Sequence, residues 1–339
     1  MKGLKSILFA AAAMITAPAV ITSCDDWTEP EAKDYYTPPT PGYENNLKDY
    51  FKSPHKVMFG WFGSWTGSGK ANSLVGLPDS TDFVSLWLTW GPLTPAQQTD
   101  LKAFQARGSR AVLCWLATNI GENITPGYSG VPPIEAAQEF WGFTNGDIPS
   151  MIEAAKKYAD AIADTCDKYN VDGFDMDIES HGTLIYGSGT EQRKVQNEFL
   201  RQLRKRFDES GRMLVIDIPG GTGWLSYYDE LDDDVVESVD YICWQTYELN
   251  HAGLDNFFDA VKRYKPELFE KVLAKSIITA TFERAADKYL FPIQSTWEYK
   301  DGLPHAGQGA YHIEYDYPGT PDYPYIRKGI ATQNPPINN

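Results

Sequence analysis

Alternation between polar and apolar positions is strongest at residues 171–180, Val-Asp-Gly-Phe-Asp-Met-Asp-Ile-Glu-Ser, where acids recur at every second place inside an apolar run. In a β-strand successive side chains point to opposite faces. Asp175, Asp177 and Glu179 therefore share one face, and Phe174, Met176 and Ile178 the other. Several carboxylates held side by side cost free energy through desolvation and mutual repulsion, so a strand needed only for architecture has no reason to carry them. A calcium loop of the EF-hand type needs its glycine later in the run than Gly173 and fewer strand formers than Phe174 and Ile178.

Strand-like runs recur at 56–61, 82–89, 110–116, 171–178, 212–218, 241–247, 272–279 and 309–315. Between the third and fourth, Ile152, Ala155, Ala159, Ile162 and Cys166 recur at steps of three and four, which predicts a helix with one buried stripe. After the fourth, Val195, Phe199, Leu203 and Phe207 predict another. Strands alternating with amphipathic helices pair in parallel, and eight such units predict an α/β fold closed into a single (β/α)₈ TIM barrel over 47–332, with a short tail at 333–339.

The chain opens with Lys2 and Lys5 ahead of an apolar stretch at 7–20 that is too short to span a bilayer comfortably, which predicts a signal peptide at 1–23. It ends Ile21-Thr22-Ser23-Cys24, similar to the bacterial lipobox, so Cys24 is the expected lipid attachment site. Residues 24–46, with Pro30, Pro38, Pro39 and Pro41, lack periodicity and read as a flexible tether. The remaining cysteines, Cys114, Cys166 and Cys243, sit in apolar runs without CxxC spacing and are expected to be reduced core residues.

A formal net charge of -16 argues against nucleic acid or an anionic membrane surface as partner. An aromatic content of 14% suits a neutral ligand such as a sugar, on whose apolar ring faces Trp and Tyr stack. The five histidines show no HExxH or His-x-His spacing, so neither a metal site nor a cofactor is expected. Gly67-Ser68-Gly69-Lys70 lacks the residues a phosphate loop needs, and Asn123-Ile124-Thr125 fits a glycosylation sequon by pattern alone.

Barrel enzymes work at the C-terminal ends of their strands. Glu179 falls at such an end, Gln245 and Tyr247 alternate in the same way on the sixth run, and Trp65, Trp90, Trp115, Trp224 and Trp244 lie at or near other strand ends. The loops at 119–148 and 181–190 are the expected cleft walls, with His181 at the start of the second.

The segment Asp172-Gly173-Phe174-Asp175-Met176-Asp177-Ile178-Glu179 resembles the DGxDxDxE signature of glycoside hydrolase family 18, and Gln245-x-Tyr247 resembles the sixth strand of its endo-β-N-acetylglucosaminidases. The resemblance implies that Glu179 is the general acid/base, that Asp177 orients the substrate N-acetyl group with support from Asp175, and that Gln245 and Tyr247 hold the acetamide. Trp65, Trp90, Trp115 and Trp244 are the expected sugar-binding aromatics. The chain departs from the chitinase branch at the third strand, which reads Leu113-Cys114-Trp115-Leu116 where many chitinases have SxGG, and at the last, which lacks the usual terminal tryptophan.

Physical chemistry points the same way. Acids at i and i+2 of one strand lie about 6.6 Å apart at their Cα atoms and face one side of a sugar, whereas most retaining glycosidases flank the scissile bond with two carboxylates. This family is the substrate-assisted exception, in which the acetamide oxygen is the nucleophile. The expectation is an endo-β-N-acetylglucosaminidase acting on the chitobiose core of N-glycans. The alternatives are a chitinase and a surface glycan-binding lipoprotein without turnover. Expected partners are a glycan or glycoprotein, the membrane through the lipid anchor alone, and other glycan-uptake surface proteins. Acids at Asp25 and Asp26 resemble the export signal of some Gram-negative glycan-foraging lipoproteins, which implies an outer-membrane, cell-surface location.

Overall fold

Eight parallel strands close into a barrel in sequence order: β1 Val57–Trp61, β2 Phe83–Trp87, β3 Arg110–Trp115, β4 Gly173–Asp177, β5 Met213–Pro219, β6 Tyr241–Gln245, β7 Ser276–Thr281 and β8 Gly307–Tyr311. The computed structural model describes residues 41–179, 191 and 193–335. The expected signal peptide, Cys24, most of the tether, the loop at 181–190 with His181, and the end of the tail lie outside the described residues.

The period of two sorts side chains into two apolar clusters. Val57, Phe59, Trp61, Phe83, Val112, Cys114, Met213, Val215, Cys243 and Ile277 point into the barrel. Met58, Val84, Leu86, Leu113, Phe174, Met176, Ile216 and Trp244 point outward against the helices. The helix Ile148–Tyr169 buries Met151, Ala155, Ala159, Ile162 and Cys166 on that outer layer. It starts where Asp147 accepts from the Ser150 amide and stops where Asn170 turns left-handed at φ 53°. The helix Arg193–Ser210 does the same with Val195, Phe199, Leu203 and Phe207. Cys114, Cys166 and Cys243 are buried and free.

Several boundaries depart from expectation. The helix Pro41–Lys52 takes up the last residues assigned to the tether, because Leu47 is buried and the Tyr43 hydroxyl donates to Asp79 at 2.8 Å. At the other end, the helix Pro324–Gln333 runs into the expected tail, and the Asn334 amide donates to the Lys56 carbonyl at 2.7 Å. Residues 272–274, read as the start of the seventh strand, end the helix Phe269–Ala274, whose buried face is Phe269, Val272 and Leu273. The eighth strand begins at Gly307 and stops at Tyr311, since His312 is left-handed at φ 53° and Ile313–Asp316 forms a 3₁₀ turn.

Candidate active site

Gly173 opens β4, and only glycine fits there: at φ 151° an added Cβ would stand 2.0 Å from the Met213 carbonyl oxygen. From that point the strand sends Asp175 and Asp177 into the barrel, both buried, and ends just before Glu179, which is exposed at the mouth. Asp175 Oδ2 accepts from the Ser85 hydroxyl at 2.6 Å and from the Trp61 indole at 3.2 Å. It is the lowest of the three acids and the best supplied with donors.

β5 contributes a fourth acid. Its register pairs Asp177 with Asp217, and alternation along Met213, Val215 and Asp217 turns all three side chains inward. Asp217 is fully buried. Across β5, Gln245 closes the group: its amide nitrogen donates to Asp217 Oδ1 at 2.7 Å, Glu179 Oε1 at 3.0 Å and Asp177 Oδ1 at 3.3 Å. An amide nitrogen faced by three carboxylates is correctly oriented, because the amide oxygen there would meet only other acceptors.

These groups open into a cavity of about 190 Å³ lined by Trp61, Trp87, Leu116, Asp177, Glu179, Asp217, Gln245, Tyr247 and Tyr311. Tyr247 stacks on Tyr311 at 5.9 Å, and Trp61 meets both rings edge-on. The site is thus an acid and amide floor inside an aromatic collar. Trp87 also lines a second cavity of about 460 Å³, shared with Trp65, Leu88, Trp90 and Gln97.

Burial dominates the electrostatics. It raises the Asp175 carboxyl to about 6, against the hydrogen bonds from Ser85, Cys114 and Trp61 that favour its ionised form. Burial and then the neighbouring Glu179 raise Asp177, and burial followed by Asp177 and Asp175 raises Asp217. Tyr247 is held well above the ordinary phenol range by burial and by the same acids. Among the described residues no lysine or arginine pairs with Asp175, Asp177, Asp217 or Glu179. Without such a partner, burial and mutual repulsion favour the protonated forms of Asp175, Asp177 and Asp217.

Cys114, Asp175 and Asp217 bring ligand atoms within 4.8 Å of one another, the nearest approach to a metal site among the described residues. The set is chemically poor. Burial and three acids push the Cys114 thiol well up, so the soft thiolate that zinc prefers is absent, and two carboxylates fall short of the six or more oxygens that calcium takes.

Two of the expected sugar-binding tryptophans are corrected. Trp115 and Trp244 are buried on the outer face of the barrel, where their indoles donate to Tyr158 and Ser276. The alternation that turns Cys114, Gln245 and Tyr247 inward turns them away. Trp65 and Trp90 lie in the second cavity, and the Trp65 indole is largely buried with its nitrogen on Asp100 at 2.7 Å. Trp224 is exposed and stacks on Tyr227 at 5.8 Å. The structure brings Asp175, Asp177, Glu179, Gln245 and Tyr247 together as expected. Asp217, Trp61, Trp87 and Tyr311 belong to the same cleft and escaped the sequence reading, although strand parity alone turns Trp61 and Trp87 inward.

Residues 25–283 match the family described as glycoside hydrolase family 18, BT1044-like. No match is found among curated proteins. Among solved structures, the selenomethionine form of BT1044 with a glutamate-to-glutamine substitution is 33% identical, with a TM-score of 0.72, covering 88% of this chain and 94% of that one. The endo-β-N-acetylglucosaminidase of Cordyceps militaris is 21% identical, with a TM-score of 0.64, covering 88% and 98%. A family 18 chitinase from Pseudoalteromonas aurantia shares the fold at 14% identity and a TM-score of 0.55, covering 81% and 99%.

Proposed function

Because the chain belongs to glycoside hydrolase family 18, we propose that it is a retaining endo-β-N-acetylglucosaminidase that cuts the β-1,4 bond in the chitobiose core of N-linked glycans, with the substrate's own acetamide as nucleophile. One observation carries this reading: the Gln245 amide nitrogen bridges Asp177 and Glu179 at the floor of an aromatic-collared cavity, with Tyr247 on its wall. An acetamide seated there meets a carboxylate for its nitrogen, a hydrogen-bonding amide and phenol, and ring faces for its methyl group.

The mechanism follows from the positions. Glu179, exposed at the mouth, delivers a proton to the departing oxygen. The acetamide oxygen attacks the same carbon from the other face, and Asp177 stabilises the positive charge that develops on the cyclised amide. Water, deprotonated by Glu179, then opens the ring, and two displacements at one carbon restore the starting configuration. Asp175, fixed by Ser85 and Trp61, sits beneath Asp177 as an electrostatic support.

Support for the endo-acting choice comes from Gln245-x-Tyr247 and from the Cordyceps militaris enzyme, which was captured with fucosyl-N-acetylglucosamine-Asn as an Asp-to-Asn, Glu-to-Gln double variant with the two positions two residues apart. The location proposed with it is a lipid anchor at Cys24 in the outer membrane, facing glycoproteins outside the cell. Cys24→Ala should move the protein from the membrane fraction to the soluble one without unfolding it, and continued membrane association would remove the anchor.

The activity is tested on a panel of N-glycoproteins by mass spectrometry, which should find released glycans and a single N-acetylglucosamine left on the protein. Glu179→Gln should lower turnover by about 10²- to 10⁴-fold while glycan binding persists. A thiazoline mimic of the cyclised intermediate should bind far more tightly than product. Binding of the panel without cleavage by the unaltered protein would leave a glycan-binding protein instead, and an inverted anomer by early-time NMR would exclude the acetamide as nucleophile.

A further inference from the structure

Asp217 is the one buried acid of the cleft without a place in the reaction just described. Its Oδ1 takes the shortest of the three Gln245 hydrogen bonds, 2.7 Å, while its Oδ2 receives no donor among the described residues. Asp175 Oδ1 is likewise without a partner, and the two carboxyls approach within 4.8 Å of each other. Orphaned carboxylate oxygens in a dry interior are costly, and two facing carboxylates without a cation between them do not both ionise. A proton placed on Asp217 removes one of the two facing charges and gives its own orphaned oxygen a partner, since the carboxyl then becomes a donor toward its neighbour across the β4–β5 ladder, Asp177.

We infer that Asp217 is a positioning residue: as a neutral carboxylic acid it donates a hydrogen bond to Asp177 with one oxygen and anchors the Gln245 amide nitrogen with the other. This rests on the substrate-assisted reading above and adds to it the choice of which acid carries the negative charge. With the proton on Asp217, the anion is Asp177, the residue that faces the reacting acetamide. With the proton on Asp177, the charge sits on Asp217 beside it in the ladder and the cyclising amide loses its counter-charge. The same contact turns the Gln245 nitrogen toward the acids and its oxygen Oε1 away from them, where it can accept from a substrate N–H.

Every element packed around Asp217 contributes a group that disfavours a second charge there or leaves it unrelieved. β4 supplies Asp175 and Asp177, with Glu179 just beyond its end, and each is acidic. Cys114 on β3 and Cys243 on β6 are buried thiols whose ionisation is suppressed by burial first and these acids second. Tyr247 is a phenol suppressed in the same way. Burial, followed by Asp177 and Asp175, favours the protonated form of Asp217 itself.

The test compares Asp217→Asn, which keeps shape, neutrality and a donor, with Asp217→Ala, which keeps neutrality but neither the shape nor any hydrogen-bonding group, after thermal melting establishes that both fold. Turnover should fall about 3- to 10-fold in the asparagine variant, the net worth of one hydrogen bond. It should fall about 10²-fold in the alanine variant, with a raised KM from the released Gln245. Carboxyl ¹³C NMR of aspartate-labelled protein should find one aspartate protonated at neutral pH, and that signal should be missing from Asp217→Asn. Equal losses in the two variants, or an Asp217 carboxyl that titrates in the ordinary aspartate range, would overturn the inference. The NMR reading needs no turnover, so a protein that proved inactive on every glycan would sink the proposed function while this measurement still judged Asp217.

Discussion

The lower and upper halves of the barrel interior are built from the same strands by the same alternation, yet they obey opposite rules. Below, Val57, Phe59, Phe83, Val112, Met213, Val215 and Ile277 fill the barrel with hydrocarbon. Above them, Asp175, Asp177 and Asp217 put three buried carboxyls side by side, capped by Gln245 and the aromatic collar. β5 crosses the boundary within one strand, running Met213, Val215, Asp217 on its inward face. The lower half stabilises the fold by burial, and the upper half draws on that stability to hold charge where water is scarce.

The most damaging way to break the comparison is to hollow out the lower half. Phe59→Ala should lower unfolding free energy by about 3–5 kcal/mol, because a fully buried ring that touches Trp61 and Phe83 leaves a cavity. Denaturant midpoints measure it, and a loss below about 1 kcal/mol would mean that the lower half is not the source of stability.

The upper half should respond in the opposite sense. Asp177→Asn should lower turnover by about 10²- to 10³-fold, since a neutral amide cannot balance the developing cation, and should raise the melting temperature near pH 7. The sign follows from linkage. Burial and Glu179 raise the Asp177 carboxyl, so the folded protein binds a proton more readily than the unfolded chain, and stability falls as pH rises above the unfolded value of about 3.9. The variant's advantage in melting temperature should therefore be small at pH 4 and grow toward pH 7. A variant that melts lower than the parent at pH 7 would show that the acid cluster stabilises the fold.

Trp61→Phe sharpens the boundary between the halves. It keeps most of the ring volume and removes the indole donor from Asp175 Oδ2, a loss of about 1 kcal/mol. The Asp175 carboxyl, already raised to about 6, should move further up. Its stability loss would then extend over a wider pH range above the ordinary aspartate value, as followed by ¹³C NMR and pH-dependent melting. An unchanged titration would mean that Ser85 and Cys114 hold Asp175 without the indole.

The smallest effect belongs to the second cavity. Trp90→Ala should weaken binding of long glycans by a few-fold, in line with about 0.5–1.5 kcal/mol for one aromatic contact, and leave short substrates unaffected. Equal losses for short and long glycans, read by calorimetry, would place Trp90 in the acid cleft instead.

Much of this was legible locally. The alternating acids of 171–180, the eight strand runs and the helix stripes all follow from periods of two and 3.6, which are properties of neighbouring residues. Trp115 and Trp244 face away from the cleft and Trp61 and Trp87 face into it for one reason: strand parity, not nearness to a strand end, decides which face a side chain takes. That parity was already present in the sequence.

Asp217 is a different case. As the single acid in the run at 212–218 it carries no pattern of its own. Its meaning comes from the register that sets Asp177 against Asp217 and Pro219 against Gln245, and from closure of the barrel, which brings Trp61 of the first strand to Asp175 of the fourth. The sequence determined which strands exist, which of their faces are apolar and where the acids concentrate, because those follow from local alternation. Tertiary structure decided which residues share a cleft, since register and closure depend on the packing of segments far apart in the chain, and no local period encodes that.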